Sequence, residues 1–199
     1  QRSKAAKEQS GKESACDSGN LRKYCGVSPR LFEMDMTSAI VRPASRDDLP
    51  AINAIYNHYV LHSTATYQTV PSTEREREEW FEARGERHPV VVAEIDGVVV
   101  GWGSLNKFHA RQAYENSVDD SIYLHHEHLG RGMGSLILAE LIRLAKEIGH
   151  HTILGGIDAS QAPSIALHEK FGFVKVSHLK EVGFKQGRWL DVIWMQKML

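Results

Sequence analysis

His-Leu-Gly-Arg-Gly-Met-Gly-Ser occupies residues 128–135, between an apolar run at 121–124 and a strongly helical segment. The apolar run is typical of a strand, so the glycines lie in a turn that leads from a strand into a helix. Glycine lets the backbone approach a ligand without a Cβ in the way, and the amides of a helix's first turn point towards a bound anion. The segment therefore predicts a site for a phosphate-bearing molecule.

Two common phosphate-binding loops do not match this segment. A P-loop requires Lys and then Ser or Thr after its last glycine, whereas Ser135 and Leu136 follow Gly134. The dinucleotide-binding fingerprint requires G-x-G-x-x-G after the first strand of its domain, whereas these glycines are spaced by two in the second half of the chain. On this segment alone, an ordinary glycine-rich turn before a helix stays an open alternative.

The chain has 199 residues and a formal net charge of -1. This length is sufficient for one domain with a full core, and the charge gives no indication of nucleic-acid or anionic-membrane binding. No apolar run approaches the roughly 20 residues of a membrane span. The two cysteines, Cys16 and Cys25, both lie near the N-terminus, which excludes a disulfide scaffold for the body of the protein and favours a reducing cytoplasm.

Hydrophobic patterning divides the chain into two parts. Residues 1–37 are rich in Lys, Glu, Ser and Gly without periodicity, which predicts a disordered extension, and residues 38–199 predict one folded domain. Mixed hairpins and one strand-helix-strand unit predict an α+β sandwich with a mixed, mostly antiparallel sheet of about seven strands and about four helices. The strands are predicted at 39–42, 90–95, 98–105, 121–124, 152–157, 174–182 and 188–198, and the helices at 49–59, 73–87, from the glycine loop to 148, and at 163–170.

The glycine loop and one later segment resemble the GCN5-related N-acetyltransferases. Gly132 and Gly134 match the glycines of that superfamily's pyrophosphate loop, with Leu129 in place of the usual Gln or Arg. Residues 161–173, Gln-Ala-Pro-Ser-Ile-Ala-Leu-His-Glu-Lys-Phe-Gly-Phe, resemble its second acetyl-CoA motif, N-x-x-A-x-x-L-Y-x-K-x-G-F. The resemblance implies the fold of that superfamily over residues 38–199 and acetyl-CoA as co-substrate.

Two further segments resemble one subfamily, the phosphinothricin (methionine sulfoximine) N-acetyltransferases. They are Gly-Phe-Lys-Gln-Gly-Arg-Trp-Leu-Asp at 183–191 and Ala-Arg-Gln-Ala-Tyr at 110–114, the latter ahead of an acidic pair. The resemblance implies a homodimer and a backbone amide at or beside Leu124 as donor to the thioester oxygen. It also implies contacts to acetyl-CoA from Ile122, Tyr123, Leu124, Gly130, Arg131, Gly132, Met133, Gly134, Ser135 and Gln161.

Acetyl transfer to an amine requires a base for the ammonium and a proton for the departing thiolate. The resemblance favours Asp120 as the base, with Asp119 as the alternative, and places His168 near the sulfur. A polar residue at a strand start and a packed histidine are the structural alternatives for these positions. The resemblance places Arg111 and Tyr114 on the substrate side, where Arg can bind carboxylate or phosphinate oxygens in bidentate fashion. A surface arginine and a core tyrosine are the structural alternatives.

Histidines at 125, 126 and 128 surround Glu127 just before the glycine loop. Their spacing resembles a metal site, but no further cysteine or carboxylate group completes one, so we expect no catalytic metal. The sequence thus predicts an acetyl-CoA-dependent N-acetyltransferase for the α-amine of a phosphinothricin, methionine sulfoximine or methionine sulfone type of compound. The alternatives are acetylation of a protein N-terminus or a polyamine, and a non-catalytic acetyl-CoA-binding protein.

Overall fold

A seven-stranded sheet is the centre of the computed structural model, which describes residues 39–199. The predicted disordered extension 1–37, with Cys16 and Cys25, lies outside these residues. The strands are β1 (Ala39–Pro43), β2 (Val90–Ile95), β3 (Val98–Lys107), β4 (Ser117–Leu124), β5 (Thr152–Asp158), β6 (Val174–Lys185) and β7 (Arg188–Met198). Their order in the sheet is β1-β2-β3-β4-β5-β7-β6. Of these contacts, β4 with β5 is parallel and the others are antiparallel.

Four α-helices cover the two faces of the sheet within the described range, so the predicted fold class is confirmed. They are α1 (Leu49–His62), α2 (Glu74–Glu82), α3 (Met133–Ile148) and α4 (Ala162–Lys170). The apolar stripe of α3 packs on one face with the buried residues Val118 and Ile153. Helix α1 packs on the other face around Trp102, where Trp80 of α2 joins it. Neither these nor the shorter helical turns in the described residues combine the length and apolarity that crossing a bilayer requires.

Two predicted boundaries are wrong. Helix α2 is predicted to reach residue 87 but ends at Glu82, because the Arg84 amide donates to the Phe81 carbonyl in a tighter turn and Gly85 follows. Strand β4 begins at Ser117 rather than at residue 121, since Val118 is fully buried and pairs with a neighbour on each side. The acidic pair that follows Val118 is therefore inside the strand instead of ahead of it.

The parallel contact between β4 and β5 is short. It joins residues 117–119 to residues 152–154, and no pairing between the two strands follows in the described structure. Beyond this point β5 continues against β7, and β4 continues against β3. The two strands therefore diverge, which leaves the edge of β4 from residue 120 to residue 124 open towards β5. Backbone groups at such an edge are available to a ligand.

Candidate active site

The glycine loop ends at the N-terminus of α3, as the sequence predicts. Gly130 and Gly132 have φ values of 73° and 83°, in the left-handed region that favours glycine. The first helical bonds are donated by Ser135 and Leu136 to the Gly132 carbonyl. The amides that precede them are those that a helix leaves without intrahelical acceptors. The predicted Gln or Arg position, Leu129, is half exposed.

The close approach of α4 explains the third glycine. A Cβ at Gly134 would lie 3.2 Å from Leu167 Cδ2, so glycine lets the start of α3 pack against α4 without displacing the Leu167 side chain. Lys170 of α4 donates to Ser135 Oγ at 3.1 Å, which ties the two helices together beside the loop. The loop thus has the open backbone and the positive helix end that a pyrophosphate requires.

The open edge of β4 begins next to this loop. Ile122 and Leu124 face the core under α3, whereas Tyr123 faces the side of α1. The Leu124 carbonyl accepts a bond of 2.7 Å from the Tyr59 hydroxyl, which fixes the end of the strand. Gln161, the other predicted acetyl-CoA contact, lies at the start of α4 and reaches Thr64 Oγ1 at 3.5 Å. It is therefore at the β5 side of the divergence rather than in the glycine loop.

Asp120 and His168 lie in contact in the gap that opens where β4 and β5 diverge, which is called the divergence below. Asp120 Oδ2 lies 3.0 Å from His168 Nε2, and the two side chains are only 2% and 4% exposed. The other ring nitrogen of His168, Nδ1, lies 2.8 Å from the Ser164 carbonyl. A Cβ at Gly155 of β5 would approach His168 Nε2 to 3.0 Å and Asp120 Oδ1 to 3.1 Å. Glycine at this position of β5 therefore makes room for the pair.

The hydrogen bonds of His168 fix the number of protons in this pair. A carbonyl only accepts, so Nδ1 must carry a proton and donate to Ser164. Nε2 then bonds to Asp120 either as a second N–H facing a carboxylate or as an acceptor from a protonated carboxyl. Burial alone would lower the pKa of His168, but the hydrogen bond and charge of Asp120 outweigh it and raise this pKa. The favoured state is therefore an imidazolium beside a carboxylate.

Asp119 points to the opposite face of the sheet, because successive strand residues alternate. Its Oδ2 accepts from Asn106 Nδ2 at 3.3 Å, and Asn106 also donates to Ser121 Oγ at 3.0 Å. Burial raises the pKa of Asp119 to about 6; the charge of Asp120 contributes to this shift, and the Asn106 bond opposes it. Sequence reasoning gave no indication that the two adjacent carboxylates differ in this way.

The predicted substrate residues lie in the connection between β3 and β4. Tyr114 packs edge-on against Phe108 at 5.9 Å, and Phe108 packs in the same way against Trp194 of β7 at 5.8 Å. Trp194 lies beneath Gly156, on the face opposite to Gly155 and so on the Asp119 side. Arg111 is exposed, and its backbone amide donates to His109 Nδ1. The structure therefore brings Tyr114 to the face of Asp119 and leaves the Arg111 side chain at the surface.

The histidines before the glycine loop stack on helix α1. His126 lies parallel to His58 at 4.2 Å and is stacked on His125 at 4.5 Å. Burial and the neighbouring histidines lower the pKa of His58. Within residues 39–199, no group of three or more His, Cys, Asp or Glu side chains is arranged to hold a metal ion.

Comparisons with known proteins identify the family to which this fold belongs. The Acetyltransferase (GNAT) family profile matches residues 52–173. The L-methionine sulfoximine/L-methionine sulfone acetyltransferase of Salmonella typhimurium is 38% identical over 160 residues, which are 80% of this chain and 94% of the relative. The phosphinothricin N-acetyltransferase of Streptomyces viridochromogenes is 34% identical over 157 residues, 79% of this chain and 86% of the relative.

A solved structure gives the same result. The GNAT superfamily phosphinothricin acetyltransferase from Sinorhizobium meliloti, in complex with acetyl-CoA, superposes with a TM-score of 0.79 at 38% identity, covering 81% of this chain and 89% of that chain. The chain therefore belongs to the GNAT acetyltransferase family, and the family predicted from its sequence motifs is confirmed.

Replacing Asp120 by Asn should lower the pKa of His168 and make stability depend on pH. Asn can donate to a neutral Nε2, so we expect a small loss above the raised pKa of His168. Below the ordinary histidine value of 6.5 the variant has to bury an unpaired imidazolium or leave it neutral, whereas the native pair is fully stabilising there. The expected loss is about 1–3 kcal/mol near pH 5.5 and much less near pH 9.

Urea unfolding at the two pH values and NMR titration of the His168 ring measure these effects. Glu169→Gln is the matched control, because it removes one carboxylate from the adjacent, exposed position. A loss of stability in Asp120→Asn that is equal at both pH values would contradict the charged pair.

Proposed function

We propose that this protein transfers the acetyl group of acetyl-CoA to the α-amine of a small amino-acid analogue. Phosphinothricin, methionine sulfoximine and methionine sulfone are the favoured acceptors, because relatives at 34% and 38% identity carry those names. The observation that most directly supports this proposal is the arrangement around β4. The glycine loop lies beyond the end of this strand, the edge of the strand is open towards β5, and each face of the strand carries a carboxylate. Acetylation removes the charge of the amine and so detoxifies such compounds.

The glycine loop would hold the pyrophosphate of acetyl-CoA. Its left-handed glycines and the N-terminal amides of α3 support this role, together with the exposure of residues 130–132. The open edge of β4 at residues 122–124 would bind the pantetheine arm through backbone groups, and an amide at or beside Leu124 would donate to the thioester oxygen. Gln161, at the β5 side of the divergence, would contact the arm from that side.

We assign the role of general base to Asp119 rather than to Asp120. The Asp120 carboxylate is bound to His168 and is almost fully buried, whereas within residues 39–199 Asp119 accepts a side-chain hydrogen bond from Asn106 alone, on the face that carries Tyr114. A pKa of about 6 leaves Asp119 ionised at neutral pH, yet basic enough to accept a proton from an ammonium. These features support proton removal from the acceptor on this face.

The His168–Asp120 pair would supply the proton that the leaving group needs. Once Asp119 has taken the first proton of the ammonium, attack by the neutral amine forms the C–N bond and breaks the C–S bond. The thiolate gains one proton from the pair, the nitrogen loses its second proton to water as it becomes an amide, and the pair regains a proton from solvent. The pair holds one exchangeable proton inside the divergence. Donation from His168 Nε2 would leave a neutral ring whose Nδ1–H still donates to the Ser164 carbonyl, and this bond would hold the ring until Nε2 is protonated again beside Asp120.

Arg111 and Tyr114 would bind the distal, oxygen-rich group of the acceptor. Arg111 is exposed and can adapt to a ligand, and the guanidinium donates to paired oxygens in bidentate fashion. The ring of Tyr114 is held by Phe108. A sulfone, sulfoximine or phosphinate offers the required acceptors.

A homodimer is also proposed. Strand β6 is a long edge strand with exposed apolar side chains, and such edges are commonly covered in native proteins. The exposed residues are Val174, Val176, Leu179, Val182 and Phe184, and Trp189 of β7 adjoins them. A molar mass of two chains by light scattering at micromolar concentration is expected, and a monomer mass at every concentration would exclude this arrangement. A reducing cytoplasm stays a prediction from the cysteine content.

Turnover with a panel of amines tests the proposed function. The measurement is release of free thiol from acetyl-CoA with methionine sulfoximine, methionine sulfone, phosphinothricin, an N-terminal peptide and a polyamine. We expect the amino-acid analogues to give the highest kcat/KM. Preferred turnover of the peptide or polyamine would contradict the acceptor class, and acetyl-CoA binding without any product would indicate a non-catalytic binding protein.

The assignment of the base predicts a specific pH profile. Because Asp119 must be ionised to accept a proton, kcat/KM should fall as the pH drops below about 6. Asp119→Asn should lose about 10²–10⁴-fold in kcat/KM together with this acid limb, and Asp119→Glu should retain the limb.

Glu115→Gln is the control, because it removes an exposed carboxylate from the connection between β3 and β4, just before the strand that carries Asp119. An Asp119→Asn variant with the native rate and the native acid limb would transfer the role of base to another group.

A further inference from the structure

A cavity of about 240 Å³ lies over β3 and β4, beneath α1 and α2, on the Asp119 face of the sheet. The side chains that carry the following argument are Tyr56, Arg77, Trp80, Trp102, Asn106 and Tyr123, all of which line it. Four of the eleven lining residues are aromatic and the other seven are polar or charged, with Arg77 as the one guanidinium among them. Ligand sites typically combine apolar walls with a few well-placed polar groups.

Arg77 is a buried cation without an ionic partner. Only 5% of its surface is exposed, and no carboxylate of the described residues lies within 4.0 Å of its guanidinium. Its one side-chain hydrogen bond runs from Nε to Asn53 Oδ1 at 3.3 Å. The group is held between the rings of Tyr56 and Trp80, at 4.6 Å and 4.7 Å. The terminal nitrogens, with four N–H donors, therefore have no acceptor in the described part of the chain.

A second donor in the cavity wall is also unsatisfied. Trp102 is 2% exposed, and its Nε1–H has no hydrogen-bond partner among the described residues. Buried donors without acceptors are rare in folded proteins, because each costs about 1–3 kcal/mol. Glu76, at the cavity lining, does not compensate, since its carboxylate accepts from the backbone amide and hydroxyl of Thr73.

Arg84, which follows α2 and is half-buried, shows how the fold satisfies an arginine stacked on the same ring. It also lies over Trp80, at 4.4 Å, but its guanidinium donates to the carbonyls of Leu105 and His88 and to Asn106 Oδ1. The protein thus supplies acceptors for Arg84 and leaves the terminal nitrogens of Arg77 without them. The terminal nitrogens of Arg77 are not among the fully enclosed atoms, so they are open to water or to a ligand in the cavity.

The cavity is connected to the proposed base. Asn106 and Ser121 line it, and Asn106 donates both to Ser121 Oγ and to Asp119 Oδ2. A ligand that fills the cavity therefore lies beside the group that would take the proton of the amine. An α-amino acid carries its carboxylate on the carbon that bears its amine, so the two groups have to be recognised close together.

We propose that this cavity receives the carboxylate of the acceptor amino acid, with Arg77 as its ionic partner and Trp102 Nε1–H as a further donor. The inference rests on the proposed function and specifies how the acceptor is recognised. A volume of 240 Å³ is below the roughly 300–1,000 Å³ of sites for drug-sized ligands, which fits an occupant of amino-acid size. Arg111 then serves the distal group, and Arg77 distinguishes amino acids from simple amines.

Binding to the native protein gives the first test, because Trp80 and Trp102 in the cavity wall report occupancy by fluorescence. The probes are L-methionine sulfone, its carboxamide and its decarboxylated amine, titrated in the presence of saturating coenzyme A. We expect the free acid to bind about tenfold or more tightly than either analogue. Equal affinity for the three compounds would overturn the proposal. This binding experiment uses the native protein and needs no substitution.

Substitution of Arg77 gives the second test. Arg77→Gln should raise the KM for methionine sulfone about tenfold or more while leaving the KM for the decarboxylated amine unchanged, and Arg77→Lys should retain part of the preference. Arg75→Gln is the matched control, since it makes the same change at an exposed position of the same helix. A folded Arg77→Gln variant that still prefers the acid would show that Arg77 only packs between the rings.

The two proposals fail in different ways. If the native protein discriminates the acid from its analogues but turns over none of the amines, the cavity is supported and the proposed function fails. If it acetylates amino-acid analogues and binds the acid no better than the carboxamide, the acetyltransferase assignment stands and the carboxylate site does not exist. If Arg77→Gln does not fold, the Arg77→Lys variant and the titration of the native protein still test whether the cavity binds the carboxylate.

Discussion

The short parallel contact between β4 and β5 is the constraint on which the site depends. Pairing stops at Asp119 and Leu154, and each strand then continues against a different neighbour. The gap is open to a ligand on one edge of β4, and at its base it is filled by Asp120, His168 and the bare backbone of Gly155. A continuous parallel ladder would satisfy the same backbone groups internally and leave neither an edge nor room for the pair.

The alternation of side chains along β4 turns two adjacent aspartates into different chemical groups. Asp120 faces Nε2 of His168, and the other ring nitrogen, Nδ1, donates to the Ser164 carbonyl. Both ring nitrogens therefore carry protons in the favoured state, and Asp120 lies beside a cation. Asp119 is buried on the other face with a neutral amide as its partner; burial raises its pKa to about 6, and the amide bond only partly opposes the rise. Because a strand repeats every two residues, a one-residue shift of register would exchange the two environments.

The sequence was sufficient to identify the family and to predict the order of the helices and strands and the glycine loop, because short local sequence patterns indicate each of them. It was not sufficient for the start of β4, where the acidic residues suggest a loop and only burial of Val118 between two neighbours favours a strand. Nor could it single out Arg77, which stands in the charged run Glu-Arg-Glu-Arg-Glu-Glu and resembles a solvated helix face. Its burial arises from packing against Tyr56, a residue of another helix.

A comparison of the buried Arg77 with the half-buried Arg84 distinguishes packing from ligand recognition. Aromatic rings stabilise a guanidinium through its faces, and both Arg77 and Arg84 have such contacts. The hydrogen bonds lie in the plane of the group, and there Arg84 has three acceptors from the protein while the ends of Arg77 have none. A structural role needs only the faces, whereas unsatisfied in-plane donors retain the geometry that pairs with a carboxylate. The open donors of Arg77 are therefore the feature of this cavity that packing alone leaves unexplained.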